Sequence, residues 1–279
     1  MPCKAICLTI CSLLAALPAE ALTMCGAAQQ GGIIRLQDNN LAKIKLNGKT
    51  YNADESGELA IAFARDAELF QPLKIFYKDG AMRTYNLQIA QTKWDVQEIN
   101  GLPSSKVAPA KTDWAAIQKE QKDVGGALNE FSNAESWKAD MLKPAEGRTS
   151  GNFGGQRIMN GQKKNPHQGW DIAVPEGTKI KAPADGIVTL SDGPYFYSGN
   201  VVVLEHGHNL STVYAHLQKT LVNKGDKVQR GQVIGLAGKT GRATGSHLHW
   251  GASLNGVRFD AKNLLNFYDK DCKKNRGLK

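Results

Sequence analysis

The chain has 279 residues, with 35 Lys or Arg against 26 Asp or Glu and a formal net charge of +9. That length suits about two domains of ordinary size, and beyond the first residues no apolar stretch is long enough to span a bilayer. The positive balance favours an acidic partner. The lysines are spread along both halves with no basic run interleaved with aromatics, so nucleic acid and a polyanionic cell-envelope polymer fit equally well and charge alone does not choose.

The chain opens as an export signal does: Lys4, an apolar run from Ala5 to Leu17, then Pro18 and the small-x-small triplet Ala19-Glu20-Ala21. Residues 1–21 are therefore expected to be a signal peptide cleaved after Ala21. A lipid-modified Cys25 is the weaker reading, because bulky Met24 precedes it. Cys3, Cys7 and Cys11 leave with the signal, and the two cysteines that remain, Cys25 and Cys272, are expected to form one disulfide in an oxidising compartment.

Residues 22–102 read as a small antiparallel β sandwich or barrel, an accessory domain. Ala42, Ile44 and Leu46 alternate with lysines before the hairpin signal Asn47-Gly48, and Leu73, Ile75 and Tyr77 alternate before Asp79-Gly80. The acids Asp54, Glu55, Asp66 and Glu68 are expected on solvated loops. Residues 103–143 form a linker that turns helical from Thr112. Trp114, Ile117, Val124, Leu128 and Phe131 are spaced to share one face, Asp113 sits in the first turn, and Gly125-Gly126 is expected to bend or break the helix.

Residues 144–270 change to short strands with glycine-rich turns, a second compact β domain, followed by a basic tail at 271–279. Val201–Glu205 and Ser211–His216 read as a hairpin across Gly207–Asn209, with Thr212, Tyr214 and His216 on one face. All six histidines (167, 206, 208, 216, 247 and 249) fall in this half. In Ser246-His247-Leu248-His249-Trp250, strand alternation puts both histidines on one side and Leu248 and Trp250 on the other. His167 and Asp171, four apart in Pro166-His167-Gln168-Gly169-Trp170-Asp171, share a face of a strand or helix. Two histidines and a carboxylate form a plausible three-ligand zinc set with a fourth position for water.

Taken in order, these segments resemble the catalytic domain of lysostaphin-type (LytM-like) zinc metalloendopeptidases. The resemblance runs from about Gly151 to Leu265. It comprises His167–Asp171, Pro175-Glu176-Gly177-Thr178 leading to Ala184-Asp185-Gly186, Tyr214-Ala215-His216-Leu217, and Gly241 through Gly245-Ser246-His247-Leu248-His249. It implies one zinc ion on His167, Asp171 and His249, with His216 and His247 catalytic and unligated. Tyr197 is the implied oxyanion-assisting tyrosine, with Tyr195 as its competitor, and Asn152 is a candidate inhibitory ligand. His206 and His208 match no ligand position and are expected to be exposed turn residues, and Trp170 and Trp250 to pack behind the ligands. The implied substrate is peptidoglycan in the periplasm, with secretion as the alternative, and the implied N-terminal region is one able to occlude the groove. A non-catalytic activator of other cell-wall hydrolases is the rival reading, and a protease of glycine-rich, elastin-like proteins a third.

Overall fold

A computed structural model describes residues 22–101 and 104–268. The expected signal peptide, the basic tail and Cys272 lie outside the described residues.

The architecture is mainly β, as expected. Thr23–Gly26, Ile33–Gln37 and Glu58–Ala62 form one antiparallel sheet, and Lys49–Asn52, Leu41–Leu46, Phe70–Tyr77 and Met82–Gln88 form a second. The Asn47-Gly48 hairpin forms with both residues at positive φ, 49° and 76°, the backbone that this dipeptide favours. Ile34, Leu36, Ile44, Ile61, Leu73 and Ile75 fill the space between the two sheets. The three-stranded sheet is buried on its other side too. Ile33, Ala60 and Ala62, alternating with the residues just named, join the core of the C-terminal half. This two-sided burial explains the unbroken apolar run Leu59–Phe63, where alternation is lost.

The two halves are also tied by charge. Asp54 is not a free loop acid: its side chain is buried against the ammonium of Lys138. Val96–Ile99 crosses over as well, pairing in parallel with Gln156–Met159.

Residues 148–259 build a ten-stranded sheet whose central strands are Gly186–Tyr195, Gly199–Glu205, Leu210–Thr220, His247–Leu254 and Trp170–Ala173, in that spatial order. The hairpin read from sequence is present, with Val203 opposite Val213. Tyr214, Leu248 and Trp250, all fully buried, anchor the core beneath it.

The linker helix runs from Trp114 to Ala127 without a break. Gly125 and Gly126 fall in its last turn, where helix lost to glycine costs least. Its buried stripe passes through Ile117, Glu120 and Ala127, and Leu128 just beyond it is buried too, whereas Trp114 and Phe131 are 54% and 58% exposed. The single apolar face expected from spacing is therefore cut short at both ends. The helix packs apolar side chains on the sheet through its C-terminal half, where Val124, Ala127 and Leu128 meet Tyr195, Val201 and Val203.

Candidate metal and catalytic site

Strand pairing builds the centre. Trp170–Ala173 lies antiparallel to His247–Leu254 with Asp171 opposite His249 and Ala173 opposite His247, so paired residues project to the same face. His167 lies three residues before this strand. Gly169 between them allows the approach: a Cβ there would sit 2.6 Å from His249 Nε2. Gly151, on the neighbouring strand, is equally constrained, because a Cβ would sit 2.7 Å from Asp171 Oδ2.

Three donor atoms converge. His167 Nε2 and His249 Nδ1 are 2.9 Å apart, and Asp171 Oδ1 lies 2.9 Å from the first and 2.8 Å from the second. The groups around them fix which atoms face inward. His167 Nδ1 donates to the main-chain oxygen of Asn152 at 2.9 Å, which leaves the Nε2 lone pair for the centre. Asp171 Oδ2 accepts from the Arg157 guanidinium at 2.7 Å. Burial pushes the Asp171 pKa up, but hydrogen bonds and charge from His167 and His249 hold it well below the usual carboxylate range. His249 is pushed down to about 4 by burial, against the pull of Asp171. Two imidazoles and a carboxylate, with donor atoms all within 4.8 Å of one another, fit a divalent transition metal.

Two further imidazoles stand beside the triad. His247 Nε2 lies 3.8 Å from Asp171 Oδ1, and its ring centroid is 4.6 Å from that of His216. His216 reaches the site by a route that alternation does not give. Regular pairing would leave it on the face of Tyr214, inside the core. A bulge intervenes: the register shifts between Asn200 and Val202, and His216 takes a φ of 61°. That left-handed residue turns the side chain to the face of Ala215 and its partner His249. Both rings are oriented by carbonyls. His216 Nδ1 donates to Thr240 O at 2.8 Å and His247 Nδ1 to Gly245 O at 2.9 Å, so each presents an unprotonated Nε2. Burial, together with neighbouring His247 and His249, lowers the His216 pKa to about 3, which keeps the ring neutral.

His167, His216 and His249 open onto a cavity of about 940 Å³, also lined by Tyr197, Arg242 and Glu120. Tyr197 is half-buried with the Arg242 guanidinium 4.3 Å from its ring centre. Tyr195 is elsewhere, buried, its hydroxyl bonded to Asp192 and Asp123.

Other expectations need correction. His206 is not exposed but fully buried, because Nδ1 donates to Asp185 O and Nε2 accepts from Thr212 Oγ1, each at 2.7 Å. His208 is half-buried, its ring centre 5.3 Å from that of Trp137. The Asn152 side chain is turned away from the donors, towards Lys262 at 2.7 Å and Asp95 at 3.4 Å, so it meets the site through its main chain. Trp170 and Trp250 do pack together behind the ligands, ring centres 6.0 Å apart. Arg157 and Glu120 escaped the sequence reading, since neither stands in a motif and each reaches its partner only through the fold.

The comparisons with known proteins agree with this geometry. Residues 165–261 match peptidase family M23. Over 104 residues the chain is 48% identical to the peptidoglycan DD-endopeptidase ShyA of Vibrio cholerae, covering 37% of this chain and 24% of that protein. Over 90 residues it is 44% identical to the DD-carboxypeptidase/endopeptidase Mpg of Neisseria gonorrhoeae, covering 32% and 20%. The matched stretches thus span about a quarter of the length of these relatives. A crystal structure of a putative M23 peptidase from Pseudomonas aeruginosa superposes with a TM-score of 0.68 at 28% identity, over 85% of this chain and 95% of that one. That likeness extends beyond the matched domain to the N-terminal sheets.

Proposed function

We propose, starting from the peptidase family M23 domain that residues 165–261 of this metallopeptidase form, that the protein is an exported zinc endopeptidase cutting peptide cross-links of peptidoglycan. The observation that carries the reading is the convergence of His167, Asp171 and His249 within 2.9 Å of one another, beside two unligated histidines. Relatives named as peptidoglycan DD-endopeptidases support the substrate class, and the family resemblance implies the bond between D-alanine and meso-diaminopimelate.

In this proposal one zinc ion is held by His167 Nε2, Asp171 Oδ1 and His249 Nδ1. When bound, it supplies Lewis-acid polarisation and brings the pKa of a water from 15.7 to about 7. The other steps belong to the chain. His216 and His247 each offer an Nε2 lone pair, so the pair takes the proton of the attacking water and returns it to the departing amine. A donor is still needed for the oxyanion, and neither ring tautomer supplies one. The Tyr197 hydroxyl, on the same cavity, fills that role. Arg157 and the Asn152 carbonyl orient two of the ligands.

Export, and with it a periplasmic location, remains carried by the signal-like residues 1–21. Pairing of Cys25 with Cys272 is supported by the path of the chain's end. Tyr268, four residues before Cys272, lies under Arg35 at 3.9 Å and donates to Glu58 at 2.9 Å, and Arg35 is the cross-strand partner of Cys25. Reduction of the mature protein is expected to lower its melting temperature; non-reducing mass mapping that finds both thiols free would contradict the pairing. The linker helix borders the groove, with Trp114 and Ile117 on one wall of the cavity.

The test is digestion of a purified cross-linked muropeptide dimer by the mature protein, followed by mass spectrometry. Cleavage to monomers that stops with a chelator and returns with zinc is the expected result. A dimer left intact by the zinc-loaded protein would move the assignment to a non-catalytic activator.

A further inference from the structure

The linker helix Trp114–Ala127 buries one carboxylate, Glu120, which is 5% exposed and lies on the cavity wall. Its oxygens accept from a single turn. Oε2 takes the Tyr197 N–H at 2.8 Å, and Oε1 takes the Ser198 N–H at 2.9 Å and the Ser198 hydroxyl as well. Bonds to an ionised acceptor are about twice as strong as neutral ones. Two successive N–H groups on one carboxylate fix how a turn faces, not only where it lies.

The carbonyl side of the same turn is bonded into the site. Ser198 O accepts the His216 N–H at 2.7 Å, and Tyr197 O accepts the Arg242 N–H at 2.8 Å. Glu120 is therefore linked through one residue, Ser198, to His216, whose φ of 61° turns its imidazole towards His249. A non-glycine residue keeps such a backbone only when its surroundings over-determine it. Here the Glu120–Ser198–His216 chain of hydrogen bonds is part of that determination.

We infer that Glu120 is a positioning residue for hydrolysis: it hooks the Tyr197–Ser198 turn so that Tyr197 and His216 hold their places. The inference rests on the peptidase reading above and deepens it. The linker helix is then a working wall of the catalytic groove and not a removable plug. Loosening it lowers turnover, whereas loosening a plug would raise it.

The experiment compares the zinc-loaded mature protein with Glu120→Ala, Glu120→Gln and Gln118→Ala, the last an exposed position on the same helix. With the muropeptide dimer as substrate, Glu120→Ala is expected to reduce kcat about a hundredfold, the scale of a misplaced catalytic group. KM and zinc content should change little, while the melting temperature should fall, because the Tyr197 and Ser198 N–H groups lose their acceptor. Glu120→Gln keeps the shape and one acceptor oxygen, so it should recover part of kcat, to within about tenfold of the parent, since the charge-assisted strength is lost. Gln118→Ala should match the parent. Amide hydrogen exchange supplies a readout that needs no substrate. Tyr197, Ser198 and His216 should exchange faster in both Glu120 variants, while the strand His247–Leu254 stays protected. Raised turnover in Glu120→Ala, or unchanged exchange at those three amides in both variants, overturns the inference. If the parent cuts no muropeptide, the peptidase reading fails by itself, and exchange still decides whether Glu120 holds the turn.

Discussion

The two ends of the hairpin Gly199–Glu205 and Leu210–Thr220 hold two buried histidines that use the same chemistry for opposite ends. At the turn end, His206 has both ring nitrogens spent, one on Asp185 O and one on Thr212 Oγ1, and burial lowers its pKa to about 4. At the far end, His216 is just as desolvated, with a pKa of about 3, but only Nδ1 is held, by Thr240 O. Its Nε2 faces His247 and the His167–Asp171–His249 cluster. A buried imidazole with two satisfied nitrogens is structure. One with an unspent lone pair, turned to a cavity by an unusual backbone, is what the proposed acid–base role requires.

Three substitutions sharpen that contrast. The largest effect is expected from His216→Asn, which tolerates the left-handed backbone. Activity should fall about 10²–10⁴-fold, the usual worth of a general acid–base group, with zinc content and melting temperature unchanged. Loss of zinc in this variant would make His216 a ligand and erase the distinction. Next comes Arg157→Ala, which frees Asp171 Oδ2. Zinc affinity measured by competition with a chromophoric chelator should weaken about 10–100-fold, as for other groups that orient a ligand. The smallest effect is expected from His206→Ala, read in stability and not in turnover. Orphaning Asp185 O, and leaving Thr212 Oγ1 with Tyr214 as its partner, should cost about 1–3 kcal/mol in denaturant unfolding, with kcat per folded molecule intact.

The same pair gives a pH dependence. The pKa of His206 lies near 4 in the fold against an ordinary 6.5, so between these values the unfolded chain binds the extra proton. Its contribution is complete above pH 6.5 and declines as the pH falls towards 4. Unfolding free energies measured across that window should therefore converge for the parent and His206→Ala as the pH drops. Parallel curves would place the histidine's pKa elsewhere.

Much of this arrangement was legible in the chain. His247 and His249 alternate with Leu248 and Trp250 as a strand requires, and Asn47-Gly48 marked its own hairpin. What stayed hidden depends on departures from regular geometry or on distant partners. Alternation assigned His216 to the face of Tyr214, and only the bulge at Asn200–Val202 explains how it leaves the core. His206 looked like a turn residue because Gly207 follows it, but Asp185, 21 residues upstream, folds over to bury it. Trp114 and Phe131 fitted a helical face, but each stays more than half exposed at its end. Arg157 and Glu120 act on residues 14 and 77 positions away, a reach that no local pattern encodes.

The division between ligands and acid–base groups is the centre of the account, and calorimetric titration of the metal-free mature protein with zinc tests it most directly. One site per chain is expected, lost in His167→Ala, Asp171→Ala and His249→Ala and retained in His216→Asn and His247→Ala. A site that survives removal of any of the first three, or disappears with either of the last two, would contradict it.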